Sequence, residues 1–245
     1  MDRWQHEITD LHESLEKLQI ERLRLIGLLE EHLSPDLVAE LLDGKSTLKL
    51  GGERATVGVL FCDIRGFTRF TRSEEPGEVV RHLNQFFHAM TTVLFNHGAT
   101  VDKFIGDAIL AYFKRRGRES KKALAGRVTA CAFEMRERFQ ALSGRWRIGR
   151  ALGLGMGLSL GEVILGHVGS GKHVDYTVIG SPVNLAARLC AVAGAGEILV
   201  GLDFRRLLES NAAWEQLPQQ TFKGFDAPLA IFANASPNAL ASPRE

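Results

Sequence analysis

Two aspartates stand at the ends of apolar segments, where a carboxylate can meet a metal ion or a phosphate. Asp63 ends the run VGVLFC, and Asp107 follows Ile105 and Gly106 in DKFIGDAILAYF. Magnesium prefers hard carboxylate oxygens, and two carboxylates can share magnesium ions with a triphosphate. The pair therefore indicates a metal-dependent nucleotide enzyme, although each aspartate taken alone is more often a strand-end cap or a turn residue.

The segment RGFT, residues 65–68, follows Asp63 closely in the chain. Its backbone amides are placed to receive phosphate oxygens if the strand ends near the aspartate. We therefore expect Gly66, Phe67 and Thr68 to contact the phosphates of a bound nucleotide.

A second polar pair lies on a predicted helix. The helix begins at Ser181 as N-cap with Pro182 in its first turn, and Asn184 and Arg188 follow four residues apart on one face. A guanidinium can neutralise charge that develops on a phosphoryl group, and an amide can orient a ribose. Seen alone, this helix would have an ordinary solvated face.

The elements that must position these residues alternate between strands and helices. A buried strand is predicted over ATVGVLFCDI and a long helix from Ser73 to Gly98. A hairpin is predicted over ATVDKFIGDAILAYF, a second helix over SKKALAGRVTACAFEMRERFQAL, and strands over IGRALGLGMGLSLGEVILGHVG and HVDYTVIG. This order predicts an α+β fold with a ferredoxin-like βαββαβ core. Such a core carries Asp63 and Asp107 to one edge of the sheet on adjacent central strands.

The N-terminal segment has a separate periodicity. Its apolar residues recur at alternating spacings of four and three, with Arg22 in the one missing core position: Trp4, Ile8, Leu11, Leu15, Leu18, Leu25 and Leu29. This heptad seam predicts a parallel two-stranded coiled coil. A helix packed against its own domain is the alternative.

Four segments follow from these patterns. We assign 1–33 to the coiled-coil helix, 34–54 to a short transducing helix and a polar linker, 55–235 to the main domain and 236–245 to a flexible tail.

The composition is ordinary for a soluble protein, with 45% hydrophobic and 24% charged residues. Its 30 basic and 29 acidic side chains give a formal net charge of +1, which argues against a nucleic-acid partner. Cys62, Cys131 and Cys190 show no CxxC spacing, as expected in a reducing compartment. No segment approaches the roughly 18 consecutive apolar residues of a membrane span, and MDRWQHEITD is not a signal peptide. We expect a cytoplasmic protein, or the cytosolic part of a longer one.

Three segments together resemble the signature segments of class III nucleotidyl cyclases, in the order that the family has them: VGVLFCDIRGFTRFT, DKFIGDAILAYF and DYTVIGSPVNLAARL. The resemblance covers about residues 55–235. It implies a ferredoxin-like core that works as a head-to-tail homodimer and uses two Mg²⁺ (or Mn²⁺) ions. The N-terminal segment also resembles the dimerising lead-in of many such domains, and an upstream sensory domain is expected.

The resemblance assigns a role to each matching position. Metal binding falls to Asp63, Ile64 and Asp107. Base selection falls to Lys103 and Thr177, and transition-state stabilisation to Asn184 and Arg188. Contacts to the triphosphate fall to Lys223 in TFKGF and to Gly66, Phe67 and Thr68.

The two base-selecting residues favour adenine. Adenine presents an acceptor at N1 and a donor at its amine, which complement the Lys103 ammonium and the Thr177 oxygen, and guanine reverses both. In the family, guanylyl cyclases carry Glu and Cys at these positions, and Thr marks the IIIb subgroup, in which bicarbonate stimulation is known. A threonine also donates, so its preference for adenine is weaker than that of the aspartate found in many adenylyl cyclases.

The sequence therefore predicts an adenylyl cyclase that converts ATP to 3′,5′-cyclic AMP and pyrophosphate at sites shared across a homodimer. One chain supplies Asp63 and Asp107 and the other supplies the base-selecting and transition-state residues, so a monomer should be inactive. The alternatives are a guanylyl or mixed-specificity cyclase and a catalytically silent nucleotide-binding dimerisation module. A diguanylate cyclase would need a GG(D/E)EF signature, which FIGDA is not.

Overall fold

The protein divides into two compact units, Met1–Lys49 and Leu50–Glu245. The computed structural model describes residues 2–32, 38, 42, 51–146, 152–170, 173–209 and 214–235. Most of the predicted segment 34–54 and the whole predicted tail 236–245 lie outside the described residues. Within the described ranges, no helix is both long enough and apolar enough to cross a lipid bilayer.

The first unit contains the long helix α1, Asp2–His32. Side chains of the predicted heptad seam are more than half exposed on it: Ile8, Leu11, Leu15, Leu18 and Leu25. Apolar side chains at helical spacing usually pack against another surface. The helix is thus present as predicted, and its pairing with a second copy stays a prediction.

The second unit contains a mixed sheet and five described helices. The strands are β1 (Gly51–Arg65), β2 (Thr100–Ile105), β3 (Ala108–Lys114), β4 (Gly153–Ser170), β5 (His173–Ile179), β6 (Glu197–Gly201), β7 (Glu215–Gln220) and β8 (Leu229–Ala235). The helices are α2 (Phe67–Ser73), α3 (Pro76–Asn96), α4 (Lys121–Ser143), α5 (Ser181–Val192) and α6 (Leu202–Arg205).

The strand order confirms the predicted α+β core. The sheet runs β2-β3-β1-β4-β6-β8-β7, and β5 pairs with β4 beside this path. The central strand β1 is antiparallel to both β3 and β4, so β2-β3-β1-β4 has the order of a βαββαβ ferredoxin-like unit. Because alternate residues of a strand face opposite sides, β1 buries Leu60 and Cys62 in one apolar cluster and Val57 and Val59 in another.

The pairing along β1 changes with position. Gly51–Arg54 pairs with the part of β4 that also pairs with β5, and Val57–Cys62 pairs with both β4 and β3. Between these stretches, Ala55 and Thr56 pair only with β4 among the described strands, and their β4 partners have no second strand neighbour there. The sheet therefore narrows to two strands at this point.

Three predicted boundaries were wrong. The strand β1 begins at Gly51 rather than Ala55, because its first residues continue the ladder with β4. The helix predicted from Ser73 begins at Pro76 instead, because Ser73 is the last residue of the separate helix α2 and the carboxylate of Glu75 accepts the amide of Glu78 to cap α3. Gly180, not Ser181, is the N-cap of α5. In α3 and α5 a proline occupies the first turn, where its missing N–H costs nothing.

Candidate active site

The sheet brings Asp63 and Asp107 together at neighbouring strand ends. The pairing of Cys62 with Ile109 places Asp63 at the end of β1 beside the turn that carries Asp107. Burial, together with a hydrogen bond and charge repulsion from Asp63, raises the pKa of Asp107 to about 7, although backbone amides of Asp107 and Ile64 partly oppose this rise. Two carboxylates in contact are stable only when a proton or a cation compensates their charge.

This donor pair fits a divalent cation, which prefers carboxylate oxygens. Among the described residues, no group of three or more histidine, cysteine, aspartate and glutamate side chains is arranged to hold a metal ion. The contact between Asp63 and Asp107 is therefore the feature that suggests one. The Ile64 side chain is buried in the core, so only its backbone is available to a ligand.

Two glycines next to the aspartates are required by the backbone. Gly106, in the hairpin turn before Asp107, has φ of 64°, and Gly66, after the end of β1, has φ of 87°. A side chain at Gly106 would meet no other atom, so the left-handed conformation and not crowding selects glycine there. Each turn therefore depends on the glycine at that position, because a left-handed conformation is strained for other residues.

The residues predicted to contact phosphate lie where β1 gives way to α2. The Gly66 carbonyl accepts the amides of Arg69 and Phe70, which begins the helix. Phe67 has a buried side chain and Thr68 an exposed one. The first amides of a helix have no carbonyl partner within it, so the backbone of this segment is the part able to meet phosphate.

Arg65 links Asp63 to α5, a contact that the sequence analysis missed. One of its terminal nitrogens donates to Oδ2 of Asp63 at 2.9 Å, and the other donates to the carbonyl oxygen of Cys190. Its side chain passes so close to Gly155 that a Cβ there would clash with it. An arginine two residues after an aspartate on a strand shares its face, which is the signal that could have indicated the first of these contacts.

The structure also brings Lys103 of β2 and Thr177 of β5 together, through a residue that the sequence analysis overlooked. The Thr177 hydroxyl donates to Oδ2 of Asp102 at 2.9 Å, and the Val178 amide donates to Oδ1 at 3.1 Å. The Lys103 Nζ lies 3.6 Å from Oδ2 of Asp102 and 3.6 Å from Oδ2 of Asp175. Lys103 and Thr177, the residues predicted to select the base, therefore form one cluster around a buried carboxylate.

Asp102 reaches this position through a bulge. The register between β2 and β3 shifts between Val101 and Lys103, so Asp102 is left without a strand partner. An extra residue of this kind re-aims its side chain, and no pattern in VDKFIGD announces it. Asp175 lies within β5 opposite Val168 with an exposed side chain.

Asn184 and Arg188 lie on the exposed face of α5. The opposite face of this helix buries Ala186, Leu189 and Cys190, and it packs so closely on β4 that any side chain at Gly157 would meet its backbone. Within the part of the chain that the structure describes, the Asn184 and Arg188 side chains make no hydrogen bond or ion pair. The structure therefore does not join them to Asp63 or Asp107 by such a contact within one chain.

Lys223 is similarly exposed. It stands between buried Phe222 and Gly224, whose φ is 92°, in the connection from β7 to β8. Phe222 anchors this connection in a small apolar cluster with Leu217 and Ile231. The Lys223 ammonium makes no ion pair with another described residue, so it is available to an anion from outside the chain.

Comparison with known proteins identifies close sequence relatives. A sequence model of the adenylate and guanylate cyclase catalytic domain matches residues 52–228. An uncharacterized protein of Mycobacterium tuberculosis is 35% identical over 234 residues, which are 91% of this chain and 40% of that protein. An uncharacterized protein of Mycobacterium bovis is 35% identical over 215 residues, or 86% of this chain and 36% of that protein. The chain thus spans at most about 40% of the length of these curated relatives.

Solved structures give a consistent picture. The adenylyl cyclase CyaB from P. aeruginosa is 31% identical with a TM-score of 0.72, covering 78% of this chain and 100% of that one. The guanylyl cyclase Cya2 is also 31% identical, with a TM-score of 0.65 and coverage of 77% and 97%. A bacterial light-regulated adenylyl cyclase shares the fold at 23% identity, with a TM-score of 0.74 and coverage of 89% and 62%.

Proposed function

Because this chain belongs to the family of adenylate and guanylate cyclase catalytic domains, we propose that it is an adenylyl cyclase. It converts ATP to 3′,5′-cyclic AMP and pyrophosphate. The observation that carries the choice of ATP is the cluster of Lys103 and Thr177 around Asp102. A lysine donor beside a threonine oxygen complements N1 and the amine of adenine, and the threonine is the feature of the IIIb subgroup.

Asp63, Asp107 and the backbone of Ile64 would hold two Mg²⁺ (or Mn²⁺) ions, which when bound would lower the pKa of the 3′-hydroxyl and bind the phosphates of the leaving group. The contact between the two carboxylates supports this assignment, because bound cations would compensate their charges. The backbone of Gly66, Phe67 and Thr68 receives phosphate oxygens.

The other residues act on the substrate. Arg188 neutralises charge developing on the α-phosphoryl group, Asn184 orients the ribose and Lys223 binds the triphosphate. All three side chains are exposed and make no described contact within the chain that would occupy them. This exposure supports a site shared across a homodimer, in which one chain supplies Asp63 and Asp107 and its partner supplies the remaining side chains.

The first prediction is the product itself. Purified chain with Mg²⁺ or Mn²⁺ is expected to form cyclic AMP from ATP, with a clear preference over GTP, as measured by chromatography of the products. The Asp107→Ala variant is the control, and it should bind magnesium-ATP more weakly. The 31% identity to a guanylyl cyclase makes cyclic GMP the competing outcome. Cyclic GMP as the main product would replace this proposal with a guanylyl cyclase, and no product from either nucleotide would favour a silent binding module.

A second prediction concerns α1, for which we propose a parallel coiled coil with a second copy. Removing residues 1–44 is expected to raise the protein concentration needed for half-maximal specific activity, because the exposed apolar seam would no longer help dimerisation. Arg22→Leu should tighten the dimer and change basal activity, since Arg22 occupies a seam position. Sedimentation and activity assays over a dilution series measure both effects.

The matched control is Arg24→Leu, which adds the same side chain outside the seam. It should leave the concentration dependence near that of the wild type. An unchanged concentration dependence after removal of residues 1–44 would assign α1 to another role.

A further inference from the structure

Asp102 is a buried carboxylate to which the proposed mechanism gives no role. Its side chain has 0% exposure, while the neighbouring Lys103 is 38% exposed. A buried charge is retained only when it is paired and hydrogen-bonded. Both conditions are met here, by the Thr177 hydroxyl, the Val178 amide and the Lys103 ammonium.

We propose that Asp102 is a positioning residue that fixes the Thr177 hydroxyl as a hydrogen-bond acceptor toward the base. It thereby makes the pocket selective for a 6-aminopurine nucleotide. This inference rests on the proposed function, in which Lys103 and Thr177 read the base, and it explains how a threonine can discriminate at all.

The argument begins with the single hydrogen of a hydroxyl group. A threonine hydroxyl has one hydrogen and two lone pairs, and an ionised carboxylate only accepts. Because the Thr177 hydrogen points to Oδ2 of Asp102 at 2.9 Å, only lone pairs are left to face a ligand. They attract the amine of adenine and repel O6 of guanine, so the ambiguity of a free threonine is removed.

Neighbouring donors stabilise the ionised form of Asp102 at both of its carboxylate oxygens. The Val178 amide donates to Oδ1 at 3.1 Å, and the Lys103 ammonium lies 3.6 Å from Oδ2. Burial raises the pKa of Asp102, and the hydrogen bonds from Thr177 and Val178 and the charge of Lys103 oppose this rise. The same carboxylate thus keeps a donor at Lys103 and an acceptor at Thr177.

The bulge in β2 is what allows Asp102 to reach Thr177 and Val178. Asp102 is the bulged residue of β2, and β5 is paired with β4 and not with β2. Its two hydrogen bonds to Thr177 and Val178 therefore connect strands that share no ladder among the described residues. A regular β2 would turn the residue at this position to the other face of the strand.

The test is Asp102→Asn. The Val178 amide needs an acceptor, so the new side chain must turn its oxygen toward Val178 and its NH₂ toward Thr177. Thr177 then accepts from the amide and points its own hydrogen at the base. We expect kcat/KM for ATP to fall by about tenfold to a hundredfold. Purine riboside triphosphate has no 6-substituent, so its kcat/KM should change much less. The preference for ATP over GTP should fall as well.

Two controls separate orientation of Thr177 from the loss of charge beside Lys103. Asp175→Asn removes the other carboxylate 3.6 Å from Lys103 without touching Thr177, and it should keep the ratio of ATP to purine riboside triphosphate. In a Thr177→Val background there is no hydroxyl to orient, so Asp102→Asn should no longer change that ratio. An equal change of the ratio in both backgrounds, or a folded Asp102→Asn protein with the wild-type ratio, overturns the proposal.

Binding measurements keep this inference separate from the proposed function. The 3′-deoxy forms of ATP and purine riboside triphosphate cannot cyclise, so their dissociation constants report base discrimination even if the chain makes no cyclic nucleotide. Wild-type chain without turnover would refute the cyclase, whereas turnover with unaltered discrimination in Asp102→Asn would refute only the role of Asp102.

If Asp102→Asn does not fold, Thr177→Val carries the test. It should lower the thermal midpoint, because Asp102 loses a donor, and erase the preference for the 6-amino group. An unchanged thermal midpoint, or an unchanged preference for the 6-amino group, would contradict the proposal.

Discussion

Replacing Arg188 by alanine is expected to lower cyclase turnover by about three orders of magnitude, the lower end of the effect of arginines that neutralise a transferring phosphoryl group. The fold should remain intact, because the Arg188 side chain is exposed and makes no described hydrogen bond or ion pair. Initial rates at saturating ATP measure the loss, and circular dichroism checks the fold. Arg118→Ala removes another exposed arginine, from the connection between β3 and α4, and should leave turnover near the wild-type value.

Mixing variants then tests whether Arg188 acts in the same site as Asp63 and Asp107 of the partner chain. Asp63→Ala should also be inactive, yet random pairing with Arg188→Ala should restore about a quarter of the wild-type activity, because one site of each heterodimer would contain only wild-type residues. A mixture of Asp63→Ala and Asp107→Ala is the matched control. These two aspartates touch within one chain, so neither site of that heterodimer is complete and no activity should return. If heterodimers of Asp63→Ala and Arg188→Ala form but stay inactive, the shared site is contradicted.

The second large effect is expected from Lys103→Glu combined with Thr177→Cys. The substitution at Lys103 turns a donor into an acceptor, and the one at Thr177 removes the acceptor for the adenine amine. Each unpaired contact costs about 1–3 kcal/mol, so kcat/KM for ATP should fall by about a hundredfold or more. A smaller gain with GTP is expected, because the other residues around the base are unchanged.

Steady-state rates with both nucleotides measure this change of specificity. Lys121→Glu makes the same charge change at an exposed position at the start of α4 and should preserve the preference for ATP. A double variant that keeps the wild-type preference would mean that Lys103 and Thr177 do not read the base. The assignment of the whole specificity pocket would then be wrong.

Local patterns were sufficient for the core of the fold. Apolar periodicity and glycines predicted the βαββαβ order, and the confirmed pairing of β1 with β3 follows from that order. The contact of Asp63 with Asp107 could be anticipated for the same reason, since register fixes which strand ends meet. Short elements were harder. The helix α2 was missed because seven residues are too few to show a helical period.

Contacts that depend on irregular geometry could not be predicted. Asp102 reaches Thr177 only because one residue is bulged out of β2, and a bulge leaves no periodic signal in the sequence. The bond from Arg65 to the Cys190 carbonyl joins groups 125 residues apart, and it depends on how α5 packs against the sheet. Both contacts are set by tertiary packing and not by local propensity.

The narrowing of the sheet at Ala55 and Thr56 has a mechanical consequence. A ribbon of two strands twists more readily than a wider sheet. A twist applied to β1 at Gly51 is therefore expected to concentrate at Ala55 and Thr56. Beyond this segment, β1 is paired with a strand on each side, so Asp63 and Asp107 are expected to be shielded from such strain. Thr177 lies on β5, on the other side of this two-stranded segment. The hydrogen bonds from Thr177 and Val178 to Asp102 of β2 are therefore expected to hold the Thr177 hydroxyl in place relative to β2 when the sheet twists.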